Sequence, residues 1–230
     1  MISFDHVSKL YGETHALSDI SVEIKDGEFV FLIGPSGAGK TTFLRLLIRE
    51  SVPTKGNIYL DDISINTLPT SQIHFLRRKV GTVFQDFKLL TDRTVFENVA
   101  LALEILGKDV HEIDHDVDRV LALVGLAKKK HLFPQQLSAG ELQRTSIART
   151  IVGGPKVILA DEPTGNLDPE TSWEILDVLQ AINAIGTTII MATHNAGIVN
   201  ELKKRTITLD RGVLISDEER GKYHIHKRKI

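Results

Sequence analysis

The residues with the clearest chemical purpose form one run, Gly34-Pro35-Ser36-Gly37-Ala38-Gly39-Lys40-Thr41, the spacing G-x-x-x-x-G-K-[ST]. Glycines let successive backbone N–H groups turn inward, and a following helix adds the positive end of its dipole, so the run is built to cradle phosphates. In that geometry Lys40 reaches the β- and γ-phosphates, the Thr41 hydroxyl faces Mg²⁺, and Thr42 lies next to the α-phosphate. A second acidic element, Val157-Ile-Leu-Ala-Asp161-Glu162, delivers two carboxylates from an apolar run. One acid can serve a metal through water (Asp161), and the other can orient or deprotonate an attacking water (Glu162). Two further polar residues end apolar runs: Gln85 after Val80–Phe84, and His194 after Ile189–Thr193. Their tips are placed to sense a γ-phosphate or its metal; capping a strand end is the plainer use of either alone.

These residues need a scaffold that brings several strand ends together. The continuously apolar Phe29–Ile33 run reads as a strand buried on both faces. Helix signals follow from Lys40 to Arg49. Period-two patterns at Phe4–Val7 and at Ile20, Val22 and Ile24, with Gly56–Leu60, predict strands near the start. Val80–Gln85, Val157–Ala160 and Thr187–Ala192 predict further buried strands. Helices are expected at Thr94–Gly107, His111–Gly125, Ser138–Gly153, Trp173–Ile185 and Asn195–Lys204. Thr206–Leu209 and Val213–Ile215 flank Asp210-Arg211-Gly212, a hairpin signal. Strand and helix alternate at both ends with helices between, which predicts a mostly parallel sheet, an antiparallel lobe and a helical lobe. The helix over Thr94–Gly107 is apolar almost all round, so it is expected to be buried against another lobe or a partner.

Composition narrows the class. The 230 residues carry 28 Lys+Arg against 30 Asp+Glu and are 42% hydrophobic, an ordinary globular balance without the basic excess of a dedicated nucleic-acid binder. With no cysteine there is no disulfide framework, zinc–thiolate site or thiol nucleophile. No run reaches the ~18 apolar residues of a membrane span, and Met1–Lys9 lacks a signal-peptide pattern. The expectation is a cytoplasmic chain that meets a membrane only through a partner. His111-Glu-Ile-Asp-His115 matches H-E-x-x-H. It sits among Asp109, Asp114, Asp116, Asp118 and Arg119 with no third ligand suggested, so it reads as a solvated helix face rather than a metalloprotease site. No N-K-x-D motif for reading guanine occurs. The basic segment Lys222–Ile230 reads as a solvated terminus, or as a contact for anionic lipid.

Leu137-Ser-Ala-Gly-Glu-Leu-Gln143 is physically a capping box, with Ser138 and Glu141 at a helix start. About twenty residues before the acidic pair, it also resembles the signature segment of ABC-transporter ATPases. The resemblance extends over essentially the whole chain. Tyr11 matches the aromatic that stacks on adenine, Gly34–Thr41 the Walker A loop and Gln85 the Q-loop. Ser138, Ala139, Gly140 and Glu141 match the signature, Asp161 and Glu162 the end of Walker B, Asn166-Leu-Asp168 the D-loop, and His194 the switch histidine.

The family implies a P-loop NTPase fold of the ABC ATPase type: a RecA-like core, an antiparallel β lobe and a helical signature lobe. It implies a single domain over 1–230, with the helical lobe near 87–152 and a basic tail at 217–230. ATP and Mg²⁺ are the implied cofactors, with Thr41, Gln85 and Asp161 toward the metal and Asp168 toward the nucleotide. The implied mechanism is a head-to-tail homodimer in which each ATP lies between one copy's phosphate loop and the other's Ser138–Glu141 helix start. Ala139 and Glu141 depart from the usual glycine and glutamine, so slow basal hydrolysis and a larger dependence on a partner are expected.

The stretches Met1–Tyr11, Phe87–Leu90 and Arg93–Val99 are most similar to the cell-division branch of the family, the FtsE group. That branch implies an FtsX-like integral membrane partner and signalling to septal peptidoglycan hydrolases from the cytoplasmic face. The ATPase subunits of lipoprotein-release and macrolide exporters are the alternative. A third class, soluble ABC ATPases acting on DNA or ribosomes, usually carries a coiled-coil insertion or two cassettes in one chain. Val95, Phe96, Val99, Leu103 and Leu106 are candidates to line or support a groove for the membrane partner, with internal packing of the helical lobe the expected role of most of them.

Overall fold

The computed structural model describes residues 1–223. The chain opens with β1 (Ile2–Tyr11) and β2 (Thr14–Ile24), antiparallel partners, followed by β3 (Phe29–Ile33) and α1 (Lys40–Leu47). Next come β4 (Lys55–Leu60), β5 (Ile63–Ser64), α2 (Ile73–Lys79) and β6 (Val80–Phe84). The helical region holds α3 (Val95–Ile105), α4 (Val110–Leu123) and α5 (Ala139–Ile151). β7 (Val157–Asp161), α6 (Pro169–Ala184), β8 (Thr188–Ala192), α7 (Ala196–Leu202), β9 (Arg205–Asp210) and β10 (Val213–Glu218) follow.

Two sheets result. The smaller runs β2-β1-β4-β5, and its described pairings are antiparallel. The larger runs β10-β9-β3-β8-β7-β6; only β10 is antiparallel to its neighbour. Every residue of β3 and β8 is buried, as strands covered on both faces require. One apolar core lies between the two sheets and around α1, where Phe43 stacks on Phe4 with ring centroids 4.1 Å apart. The other core joins the opposite face of the large sheet to α3, α4, α5 and α6.

Crossovers put the carboxyl ends of β3, β6, β7 and β8 along one edge, where open α/β sheets place ligands. The residues that leave that edge are Gly34, Gln85, Asp161–Glu162 and, one residue beyond Thr193, His194.

The differences from the sequence reading have local causes. α2 was not anticipated, because its seven residues bury only Leu76 and end in Arg77-Arg78-Lys79, so the apolar signal is faint. α6 starts at Pro169 rather than Trp173, because Asp168 caps it and proline suits the first turn. α3 is buried mainly within its own lobe: Val95, Val99, Ala100 and Leu103 lie in the core and Phe96 packs against it. Of the five candidates to line or support a groove, Leu106 is the one that lines it. It joins Ala102 and Ile105 on one wall of a groove of about 760 Å³, with Ile73, His74, Arg77 and Arg78 on the other. Val95, Val99 and Leu103 point the other way because α4 and α5 cover that face.

Candidate active site

The phosphate loop needs its glycines for different reasons. Gly34, Gly37 and Gly39 have φ of +148°, +78° and +105°, which only glycine adopts freely. Gly34 is also hemmed in: a Cβ there would run into the Leu209 carbonyl and sit 2.9 Å from the Ala38 Cβ. Gly39 is the N-cap of α1, and its carbonyl accepts from Phe43 N at 2.9 Å. The loop is held from outside by the β9–β10 turn, where Gly212 N donates to Ala38 O at 3.0 Å and Gly212 O accepts from Ser18 N at 2.8 Å. Lys40 Nζ donates to Gly34 O at 2.7 Å and Pro35 O at 3.2 Å, which lays the ammonium across the loop.

A cavity of about 620 Å³ opens over this loop. Ser36, Gly37, Ala38, Gly39, Lys40, Thr41 and Thr42 line it together with Gln85, Asp161, Glu162 and His194. Thr14, His15 and Ala16 complete the wall. The sequence reading missed these three; only their contact with the loop across the lobes reveals them, since a Cβ on Gly39 would lie 2.6 Å from Ala16 O. Tyr11 stands at the end of β1 and is not among the lining residues. Its half-exposed ring lies beneath Lys9 Nζ at 4.7 Å, and its hydroxyl donates to Ser51 Oγ at 3.3 Å.

Asp161 and Thr41 line this cavity together, with the Thr41 hydroxyl close enough to favour the ionised carboxylate. Burial pushes the Asp161 carboxyl above its usual range, and the nearby Thr41 hydroxyl and the positive Lys40 only partly oppose this. A hydroxyl beside one carboxylate, facing a phosphate cradle, is the oxygen donor set that Mg²⁺ uses with a nucleotide, so the residues fit that ion. An acid whose folded pKa is raised destabilises the fold when ionised, fully above that pKa and not at all well below the unfolded value. Asp161→Asn is therefore expected to raise the melting temperature of the nucleotide-free protein at neutral pH. That advantage should shrink on acidification toward the ordinary aspartate range, and Mg²⁺-dependent hydrolysis should drop at least ~10-fold. Calorimetry against pH, with a turnover assay, checks both.

Glu162 sits at φ +50°, a left-handed conformation unusual for a long side chain, fixed by its N–H donating to Ala192 O at 3.0 Å. The strain turns the carboxylate toward His194: Nδ1 and Oε1 are 2.8 Å apart, and Oε2 accepts from His194 N at 3.4 Å. Gln85 Nε2 donates to Asn166 Oδ1 at 2.9 Å, and Asn166 Nδ2 donates to Gln85 O at 3.2 Å. Gly165 permits this approach; a Cβ there would meet Gln85 Nε2 at 3.0 Å. Gln85 is thus tied to the segment after the acidic pair while still lining the cavity.

The remaining candidates stand elsewhere. Ser138, Ala139, Gly140 and Glu141 begin α5, where the capping box is complete: Glu141 N donates to Ser138 Oγ at 3.3 Å and Ser138 N to Glu141 Oε2 at 3.0 Å. None of the four lines the cavity over the phosphate loop of the same chain. Asp168 caps α6, accepting from Thr171 N at 3.0 Å and from Thr171 Oγ1 at 2.6 Å, and it too lies outside that lining. His111 and His115 are exposed on α4, where His115 Nδ1 lies 3.4 Å from Asp116. Among the described residues, no group of three or more His, Cys, Asp or Glu side chains could hold a metal ion. No helix among them is long and apolar enough to cross a membrane. Of the basic tail, residues 224–230 lie outside the described part.

Comparison with known proteins agrees with this geometry. A family model described as ABC transporter matches residues 17–165. The cell division ATP-binding protein FtsE of Bacillus subtilis is 54% identical over 224 residues, spanning 97% of this chain and 98% of its own. That of Mycobacterium tuberculosis is 51% identical over 225 residues, with 97% and 98% covered. Among solved structures, a dimeric post-hydrolysis state of the ATP-binding cassette MJ0796 bound to ADP and Pi superposes with a TM-score of 0.86 at 34% identity, covering 97% of this chain and all of that one. A glycine-rich phosphate loop, a partly buried acid and a histidine-held carboxylate stand on one sheet edge, in a chain related over 97% of its length to such cassettes. The protein belongs to the ABC transporter family and is an ATP-hydrolysing cassette with the ABC ATPase fold.

Proposed function

We propose that this chain is the ATPase subunit of an FtsEX-like complex, held at the cytoplasmic face of the cell membrane by an FtsX-like integral membrane protein. In that complex ATP-driven closure of two copies controls septal peptidoglycan hydrolysis. The observation that carries the reading is the near-full-length identity with proteins named cell division ATP-binding protein FtsE. Each site residue has a part in it. The loop N–H groups and Lys40 bind and orient the triphosphate. Thr41, Asp161 and Gln85 would hold Mg²⁺, which when bound would supply positive charge to neutralise the phosphates. Glu162 accepts the proton of the attacking water; His194 holds that carboxylate in place and reaches toward the γ-phosphate. Tyr11 offers a face to adenine.

Ser138–Glu141 lie outside their own chain's phosphate cavity, so the helix start is available to the nucleotide of a second copy. Asp168, at the start of α6, borders the same junction. The groove between α2 and α3, apolar with Arg77, Arg78 and His74 at its rim, suits a short amphipathic helix of the membrane partner.

Affinity capture of the native complex from gently solubilised membranes tests the proposal. The expected result is one membrane protein of the FtsX kind, lost when Ile105→Glu and Leu106→Glu are placed in the groove. Capture of a lipoprotein-release or macrolide-efflux permease instead would contradict the cell-division reading while leaving the ATPase chemistry intact.

A further inference from the structure

A carboxylate at the start of α5 is an electrostatic problem for the two-copy reading on which this inference rests. The N-terminus of a helix attracts anions, but Glu141 places a negative charge on that turn, where another negative group, a γ-phosphate, would have to arrive. Like charges brought together at an interface are costly. The fold supplies an answer from outside the helix. Lys129 ends a short 3-10 turn, Ala127–Lys129, anchored by buried Leu126, whose carbonyl accepts from Lys129 N at 2.8 Å. From there its ammonium forms a close ion pair with Glu141 Oε1, while Glu141 Oε2 is turned back onto Ser138 N. The Glu141 side chain is 15% exposed and that of Lys129 40%, so the pair is partly shielded from solvent. Ser138 and Ala139 stay exposed beside it, and among the described residues no group accepts from Ala139 N or Gly140 N. The neighbouring lysines do other work: Lys130 pairs with Asp118 on α4 at 2.9 Å, and Lys128 is exposed.

We propose that Lys129 is a positioning residue for the contact between copies. By pairing with Glu141 it cancels the carboxylate's charge and keeps it folded onto the cap, so that the start of α5 presents N–H groups to the partner copy's triphosphate. Lys129 does not line its own chain's phosphate cavity and acts through Glu141.

The test uses the full chain carrying Glu162→Gln, which is expected to hold ATP without turnover, and measures its ATP-dependent monomer–dimer equilibrium by sedimentation. Adding Lys129→Met is expected to weaken dimerisation about 10-fold, and the defect should shrink as salt is raised. Adding Glu141→Gln as well should restore dimerisation to within about 2-fold of the parent, because removing the carboxylate removes the need for the lysine. Lys129→Arg should behave as the parent. ATP binding by the monomer, read with a fluorescent analogue, should be the same in all. The proposal is overturned if Lys129→Met dimerises like the parent. It is equally overturned if the Lys129→Met, Glu141→Gln pair stays as weak as Lys129→Met alone, which would make Lys129 merely a brace for the helical lobe. If the Glu162→Gln parent itself stays monomeric with ATP, the two-copy reading has failed, and that outcome is seen before any lysine variant is compared.

Discussion

Replacing Glu162 by Gln is expected to lower the ATP turnover rate by about 10²–10⁴-fold while leaving ATP binding nearly unchanged. The amide keeps the size of the side chain and its reach to His194, but it cannot accept the proton of the attacking water. Binding survives because the groups that grip the triphosphate belong to the loop: the N–H groups of Gly34–Thr41 and Lys40, already ordered by bonds to Gly34 O and Pro35 O. Single-turnover hydrolysis and equilibrium binding, measured on one preparation, separate the two effects. A fall in affinity as large as the fall in rate would mean that Glu162 holds the nucleotide rather than activating water.

The second large effect is expected at Gly34. Gly34→Ala should destabilise the protein by about 2–4 kcal/mol and reduce ATP affinity at least ~10-fold. Two independent costs add there. A φ of +148° is strained for any L side chain, and the new methyl would collide with the Leu209 carbonyl on β9, which is locked in the central sheet between β3 and β10. The sheet cannot move away, so the loop must, and the N–H cradle would lose its aim. Gly37→Ala is the internal control. Its φ is also positive, but open space surrounds it, so it should pay only the backbone term. Thermal melts of the two variants, with nucleotide titrations, check the difference.

Much of this was legible in the sequence because the chemistry is local. The phosphate loop, the Asp161–Glu162 pair and the Ser138–Glu141 cap are each contiguous, and the apolar runs before Gly34, Gln85, Asp161 and His194 mark buried strands whose carboxyl ends meet. What escaped the sequence depends on contacts between distant segments. Thr14, His15 and Ala16 reach the phosphate cavity because the start of β2, at Ala16 and Leu17, packs against Gly39 and Gly212. The pairing of Gln85 with Asn166, 81 residues apart, has no periodic signature. Lys129 lies 12 residues before Glu141 in a run of three lysines, and nothing in the pattern tells which of them turns inward. The helix over Val95–Ile105 is apolar almost all round, which predicts burial but not by what: α4 and α5 cover most of it and leave Ala102, Ile105 and Leu106 to the groove.

The central claim is that ATP is held between two copies, with the phosphate loop of one facing the α5 start of the other. The most direct measurement is the solution mass of the Glu162→Gln protein by sedimentation, with and without Mg²⁺ and ATP. The account predicts a 25.6 kDa monomer alone and a species of about 51 kDa, twice that mass, with ATP. It predicts return to the monomer when ADP replaces ATP or when Ser138→Arg blocks the helix start. A protein that binds ATP yet remains at 25.6 kDa would contradict it.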